Sequence, residues 1–167
     1  QWLLPVCAET WDGYLNDING GHVRPEHAVA ALDSADGGPV TEGSVGGGTG
    51  MNCYDFKGGN GTASRLVPYG SRTYTVAAFV QANFGSRAEL TIAGHHVGPS
   101  LLDDNPLDGD WFARDLAGSP PPGAGSVIAI VATDAPLLPG QCKALARRVP
   151  LGLARTGTTG SHFSGDI

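Results

Sequence analysis

From Asn52 to Gly85 apolar and polar residues alternate with a period of two, the spacing of a strand whose two faces meet different surroundings. Gly61 to Val67 and Thr73 to Gln81 are the clearest runs, and the turn Pro68-Tyr-Gly-Ser71 between them predicts an antiparallel hairpin. The second strand runs into Gln81-Ala-Asn-Phe-Gly85. That leaves the amide of Asn83 at a strand's end, just before a glycine, where its N–H groups can be presented to a ligand. Glu89 to Ala93 reads as a further short strand. Ser126-Val-Ile-Ala-Ile-Val-Ala132 is of another kind, a continuous β-branched and apolar run that predicts a strand buried on both faces.

Helical spacing appears twice. Arg24 to Ala35 carries Pro25 and Glu26 in its first turn and Val29, Ala30 and Leu32 along one side, and Gly37-Gly38-Pro39 stops it. Pro139 to Arg148 places Leu145 and Ala146 inward and Lys143, Arg147 and Arg148 outward. Pro150 marks its end, and the run to Gly157 allows one more helical turn. Sheet and helix alternate as in an α/β sandwich.

The remaining stretches are irregular. Val6 to Asn19 reads as a short buried segment followed by the polar turn Glu9-Thr-Trp-Asp-Gly-Tyr-Leu-Asn16. Thr41 to Gly50 is rich in glycine but has neither the Lys-Ser/Thr ending of a Walker loop nor the glycine order of a dinucleotide site. A close-packed turn in which side chains would clash is the expected reading. Asp103 to Asp110 resembles a calcium loop only in charge, because Leu107 stands where an oxygen ligand is needed. His95 and His96 are adjacent, so on a strand they point to opposite faces and cannot chelate one metal together. The whole of His95 to Gly125, with Pro120-Pro-Pro-Gly-Ala-Gly125 at its end, reads as an exposed excursion.

Length changes this picture little: 167 residues suffice for one core and predict one domain, 1–167. Gln1 is not a start residue and Ile167 falls where a strand begins, so the chain reads as an internal piece of a longer protein. A net charge of -6 with a single basic cluster at Lys143, Arg147 and Arg148 argues against nucleic acid or an anionic membrane as a partner. No apolar run reaches the length of a bilayer span. The cytoplasm is the expected compartment, with the periplasm as the alternative. Cys7, Cys53 and Cys142 are odd in number and far apart, which predicts reduced, mostly buried thiols rather than a disulfide framework or a zinc site.

The candidate chemistry concentrates in Arg155-Thr-Gly-Thr-Thr-Gly-Ser-His-Phe-Ser-Gly-Asp-Ile167. Gly165 and Asp166 follow Ser164, so the backbone there can turn sharply with a carboxylate close to the hydroxyl. Serine is a weak nucleophile unless a base takes its proton, and no Gly-x-Ser-x-Gly elbow surrounds this one. His162 lies two residues away, too near along the backbone to reach the serine oxygen easily. If the bond before Ser164 is cut, the serine acquires an α-amine with an ordinary pKa of about 8, close enough to act as its own base.

Six blocks, taken in order, resemble the DmpA-type aminopeptidases, which include the L-aminopeptidase D-amidase/D-esterases and the β-peptidyl aminopeptidases. They are Glu9-Thr-Trp-Asp-Gly-Tyr-Leu-Asn-Asp-Ile18, Glu42-Gly-Ser-Val-Gly-Gly-Gly-Thr-Gly50, Lys57-Gly-Gly-Asn-Gly-Thr-Ala-Ser-Arg65, Val80-Gln-Ala-Asn-Phe-Gly85, Val131-Ala-Thr-Asp-Ala-Pro-Leu137 and Ser164-Gly-Asp-Ile167. The resemblance implies an αββα sandwich similar to N-terminal-nucleophile hydrolases, of which this chain is an incomplete part. It implies self-cleavage between Phe163 and Ser164, with Ser164 becoming the nucleophile of a small β chain that begins at 164–167. Asn83 matches the family's oxyanion-stabilising asparagine and Glu9 the acid that holds the substrate's free amine. Tyr14 is the candidate for the family's tyrosine near the oxyanion, and a small shift in register puts Trp11 there instead.

No metal or organic cofactor is implied. The implied partners are small peptides or amides with a free amine, the protein's own β chain and further copies of itself. Two features depart from the family pattern. Phe163 stands before the scissile bond where a small residue or asparagine is expected, and the family's further catalytic serine and glutamate lie beyond Ile167. Two other readings are an acyl transferase similar to the ornithine acetyltransferases, which use threonine where this chain has Ser164, and an unprocessed relative kept as a binding or structural module.

Overall fold

The computed structural model describes residues 6–107 and 125–160. Helix α1, Pro25–Asp33, comes first, followed by a 3-10 turn at Gly46–Gly50 and the small hairpin β1, Asn52–Cys53, and β2, Phe56–Lys57. Strands β3, Gly59–Tyr69, and β4, Arg72–Asn83, form the long hairpin. A second small hairpin, β5 at Thr91–Ile92 with β6 at His95–His96, precedes β7, Ser126–Thr133. Two short helices close the described chain, α2 at Pro139–Ala146 and α3 at Val149–Ala154.

The main sheet has the order β3-β4-β7 and is antiparallel throughout. Tyr69 pairs with Arg72, so the hairpin closes through Gly70-Ser71, and Gly70 adopts a φ of 61°, which only glycine takes without strain. The expected hairpin is therefore present, with each strand longer than its sequence pattern alone predicts.

Residue parity sorts the sheet into two faces. Val127, Ala129 and Val131 of β7 line an apolar groove with Leu145 of α2, Val149 of α3 and Leu153 of α3, so the helices cover that face. Asn83, Gln81 and Phe79 of β4 and Ser126, Ile128 and Ile130 of β7 occupy the opposite face. No described element covers Ile130, which is 56% exposed. Among the described residues β7 lies at the edge of the sheet, and the described helices cover one of its two faces.

Two expectations change. Val6 is 95% exposed and Cys7 is exposed, because the extended stretch that carries them makes no ladder with a described strand. Cys142 is exposed as well and Cys53 is half-buried, so the free thiols are not mostly internal. As expected, α2 ends before Pro150 and a further helical segment follows, with Pro150 in the first turn of α3, which suits a residue with no N–H to donate. Among the described residues no helix is long and apolar enough to cross a membrane.

The glycine-rich loop is close-packed as expected. Gly43 bridges to Asn60, each N–H donating to the other's carbonyl at 2.8 and 2.9 Å. A Cβ on Gly48 would crowd the Gly43 carbonyl and the Asn60 amide. The buried apolar side chains of the described residues, Met51, Tyr54 and Phe84, all gather beside this loop at the base of the long hairpin.

Candidate active site

The base of β4 is where the chain's polar chemistry is held. Asn83 is 8% exposed, and its Oδ1 accepts the Asn52 N–H at 2.9 Å. Because a backbone amide only donates, that bond fixes which end of the side chain is oxygen. Its Nδ2 therefore faces the other way and donates to the Trp11 carbonyl at 2.8 Å and the Ser126 hydroxyl at 2.9 Å. Ser126 Oγ also accepts the Trp11 N–H at 3.2 Å, so Asn83, Ser126 and the Trp11 backbone form one closed set. A Cβ on Gly125 would overlap the Asn83 carbonyl, which explains a glycine just before Ser126.

One turn back on β4, Gln81 donates to Thr10 Oγ1 at 2.6 Å. Thr10 and Trp11 are thereby docked side by side against the face that the helices leave open. Glu9, the preceding residue, is exposed beside them. Tyr14 is not part of this set: its hydroxyl donates to the Pro106 carbonyl at 3.3 Å. Of the residues singled out in the sequence, Asn83 and the stretch beginning at Glu9 come together, with Trp11 rather than Tyr14 beside the asparagine. Ser164 and Phe163 lie outside the described residues.

A second set of contacts adjoins the first. Cys53 pairs with Phe56, so Tyr54 and Asp55 are the two loop residues of the β1–β2 hairpin, and both have positive φ, 53° and 57°. This is the backbone twist that a two-residue hairpin loop favours, yet for residues with a Cβ it costs about 1–2 kcal/mol each. Tertiary contacts offset the cost. The Tyr54 N–H donates to the Phe84 carbonyl at 2.8 Å, and its ring meets the Phe84 ring edge-on at 5.5 Å. A Cβ on Gly85 would run into the Tyr54 ring. Asp55 Oδ2 accepts the Arg87 N–H at 3.1 Å and the Asn105 amide at 3.2 Å.

Arg87 is buried under this loop. It donates to the carbonyls of Asp55, Leu101 and Asp103 and lies 4.0 Å from the centroid of the Phe56 ring. Lys57 is used in the same way, its Nζ donating to the carbonyls of Gly48, Met51 and Gly58 at 2.8 to 3.1 Å. Partial burial lowers the Lys57 pKa. Burial raises that of Tyr54, against the opposing pull of its bonds to Thr156 and Thr158. The Glu42 carboxyl is lowered by two bonds from Thr62, first from its hydroxyl and then from its backbone N–H.

Sequence reasoning missed Ser126, Tyr54 and Arg87. Ser126 did leave a signal, as the polar residue that opens an otherwise apolar run. Arg87 left none, and Tyr54, though inside the alternating stretch, left none that tells a hairpin-loop residue from a strand position.

The profile of peptidase family S58 matches residues 1–167. The chain is 52% identical, over 99% of its length and 42% of the relative's, to the β-peptidyl aminopeptidase BapA of Sphingosinicella microcystinivorans. To the enzyme of that name from Sphingosinicella xenopeptidilytica it is 48% identical, over 99% of this chain and 41% of the other. It thus spans about two fifths of the length of these curated relatives. Among solved structures, the L-aminopeptidase D-Ala-esterase/amidase of Ochrobactrum anthropi, a variant of the Ntn hydrolase fold, superposes with a TM-score of 0.86 at 48% identity, covering 99% of this chain and 41% of that one. A Burkholderia sp. β-aminopeptidase gives 0.81 at 47%, covering 99% and 42%. The chain thus shares the Ntn-type fold of these neighbours, its sheet carrying helices on one face and Asn83, Gln81 and Ser126 among apolar residues on the other, and it belongs to peptidase family S58.

Proposed function

We propose that the whole protein is a self-processing serine aminopeptidase that releases N-terminal residues from small peptides, amides or esters. The observation that carries this reading is the Asn83 amide. It is oriented by Asn52, held on the open face of the sheet, and set beside the Glu9–Trp11 stretch, in a chain whose S58 relatives are named aminopeptidases.

On this reading hydrolysis of the Phe163–Ser164 bond consumes one water, leaving a carboxylate on Phe163 and an α-amine on Ser164. That amine then takes the hydroxyl proton as Ser164 Oγ attacks the substrate's acyl carbon. The oxyanion that forms replaces Ser126 Oγ as acceptor for one Asn83 amide hydrogen, a donor of the kind typically worth a few kcal/mol of barrier. The Glu9 carboxylate, next to the docked Thr10, receives the substrate ammonium, which restricts the enzyme to substrates with a free amine. The Trp11 backbone, rather than Tyr14, adjoins the proposed oxyanion site, through its contacts with Asn83 and Ser126.

The test is Ser164→Ala in the whole protein, followed by intact mass and peptide-amide hydrolysis. Loss of both the cut after Phe163 and the hydrolysis is expected. Persistence of both would overturn the proposal. The bulk of Phe163 before the scissile bond favours one rival, an unprocessed binding module, and an unsubstituted protein that stays a single chain while binding amino compounds would put that reading first.

A further inference from the structure

The stretch that leads to Ser164 is anchored from three directions. Tyr54 Oη lies 2.6 Å from Thr156 Oγ1 and accepts the Thr158 N–H at 3.0 Å. Thr156 Oγ1 donates its own proton to the Leu153 carbonyl at 2.7 Å, so the phenol must be the donor in the Tyr54–Thr156 bond. The Thr156 carbonyl accepts the Thr91 N–H at 2.8 Å, and the Thr159 hydroxyl donates to Glu89 at 3.2 Å. Between them Gly157 adopts a φ of 115°, and a Cβ there would overlap the Glu89 carbonyl. Thr158 itself is buried.

These contacts are specific in a way that general packing is not. The Tyr54 phenol spends its one proton on Thr156 and an acceptor site on Thr158, and the two strained loop residues, Tyr54 and Asp55, aim the ring there. The same ring rests on Phe84, the residue after Asn83. Tyr54 therefore links the base of β4 to the chain only six residues before Ser164.

We propose that Tyr54 is a positioning residue for self-processing. Its hydroxyl fixes Thr156 to Thr158, so that the chain leaves Thr158 toward the Phe163–Ser164 bond in one register. This inference rests on the self-processing reading above and adds to it a residue that acts on the cut rather than on turnover. In the cut Ser164 Oγ attacks the Phe163 carbonyl carbon, and the hydroxyl proton passes to the Ser164 nitrogen as the C–N bond breaks. Water then hydrolyses the resulting ester to a Phe163 carboxylate and a free Ser164 hydroxyl, a sequence that needs the carbonyl held in place. After the cut no carbonyl has to be held against Ser164, so turnover by the mature enzyme does not depend on the Tyr54–Thr156 bond.

The experiment follows the precursor-to-product conversion of the whole protein by intact mass, for the unsubstituted protein, Tyr54→Phe, Thr156→Val and Thr156→Ser. Tyr54→Phe keeps the ring and its contact with Phe84 and loses only the hydroxyl. The expected result is at least tenfold slower cleavage for Tyr54→Phe and Thr156→Val, with near-normal cleavage for Thr156→Ser, which retains the oxygen. Once cut, the variants should turn over substrate within twofold of the unsubstituted enzyme, per N-terminal serine. Combining Tyr54→Phe with Thr156→Val should slow cleavage little beyond Tyr54→Phe alone, because the phenol's bond to Thr156 is then already lost. Cleavage of Tyr54→Phe at the unsubstituted rate would overturn the inference. So would an equal loss of cleavage and turnover, which would mark Tyr54 as general support for the fold. If the unsubstituted protein stays uncut, the self-processing reading falls and this inference with it, a result distinct from either of the others.

Discussion

The two ends of the β3–β4 hairpin carry similar alternating sequence and meet opposite surroundings. At the tip Leu66 is 74% and Tyr69 78% exposed, and the turn Gly70-Ser71 meets no other described element. At the base Asn83 and Phe84 are buried, and Met51, Tyr54, Arg87 and Ser126 are buried around them. The base also receives chain from far away in sequence, at Trp11, Asn105 and Thr156 to Thr158. Among the described residues, burial and long-range hydrogen bonds are thus concentrated where the proposed chemistry is, and the tip is exposed.

The sharpest way to break that comparison is Gly157→Ala. The substitution combines a positive φ with overlap of the Glu89 carbonyl, and it should cost about 3 kcal/mol or more of stability by chemical denaturation, with loss of self-cleavage. Asn83→Ala should come next. It leaves the Asn52 N–H without its acceptor and removes the proposed oxyanion donor, lowering kcat by about 10²-fold or more in steady-state assays. Arg87→Met keeps bulk over Phe56 but strands the carbonyls of Asp55, Leu101 and Asp103, so denaturation should show a loss of about 2 kcal/mol.

A pH titration sharpens the picture at Tyr54. Its pKa is raised in the folded protein, above the ordinary value of about 10. The folded state therefore holds this proton more tightly than the unfolded chain does. The stability it contributes is whole below about pH 10 and is lost as pH rises through the folded value. The denaturation midpoint of the unsubstituted protein should fall in that alkaline range, and the difference from Tyr54→Phe should shrink there. The smallest effect is expected at the tip, where Leu66→Thr or Tyr69→Thr should shift stability by no more than about 0.5 kcal/mol. A larger loss, or a change of assembly size on gel filtration, would show that the tip is covered in the whole protein.

The elements legible in the sequence are those coded within a few residues. Pro25 and Pro139 mark two helix starts, Gly70 marks the hairpin turn, and strand alternation reaches Asn83 at the end of β4. The glycine-rich loop was legible as a tight turn because its lack of phosphate-loop order left close packing as the reason for so many glycines. The local code is less informative for β7. Its unbroken apolar run says that side chains prefer burial on both faces, but what covers each face depends on neighbours supplied from elsewhere, and among the described residues α2 and α3 cover one of them.

The sequence by itself determined the order of strands and helices, the family blocks, and the placing of an amide and an acid at the ends of extended segments. Only the tertiary structure decided that Asn83 is oriented by Asn52, that Trp11 and not Tyr14 lies beside it, and that Tyr54 reaches across to Thr156. The physical reason is range. Periodicity and turn chemistry act between residues a few positions apart, whereas these bonds join residues 31, 72 and 102 positions apart, where only the packed chain brings donor to acceptor.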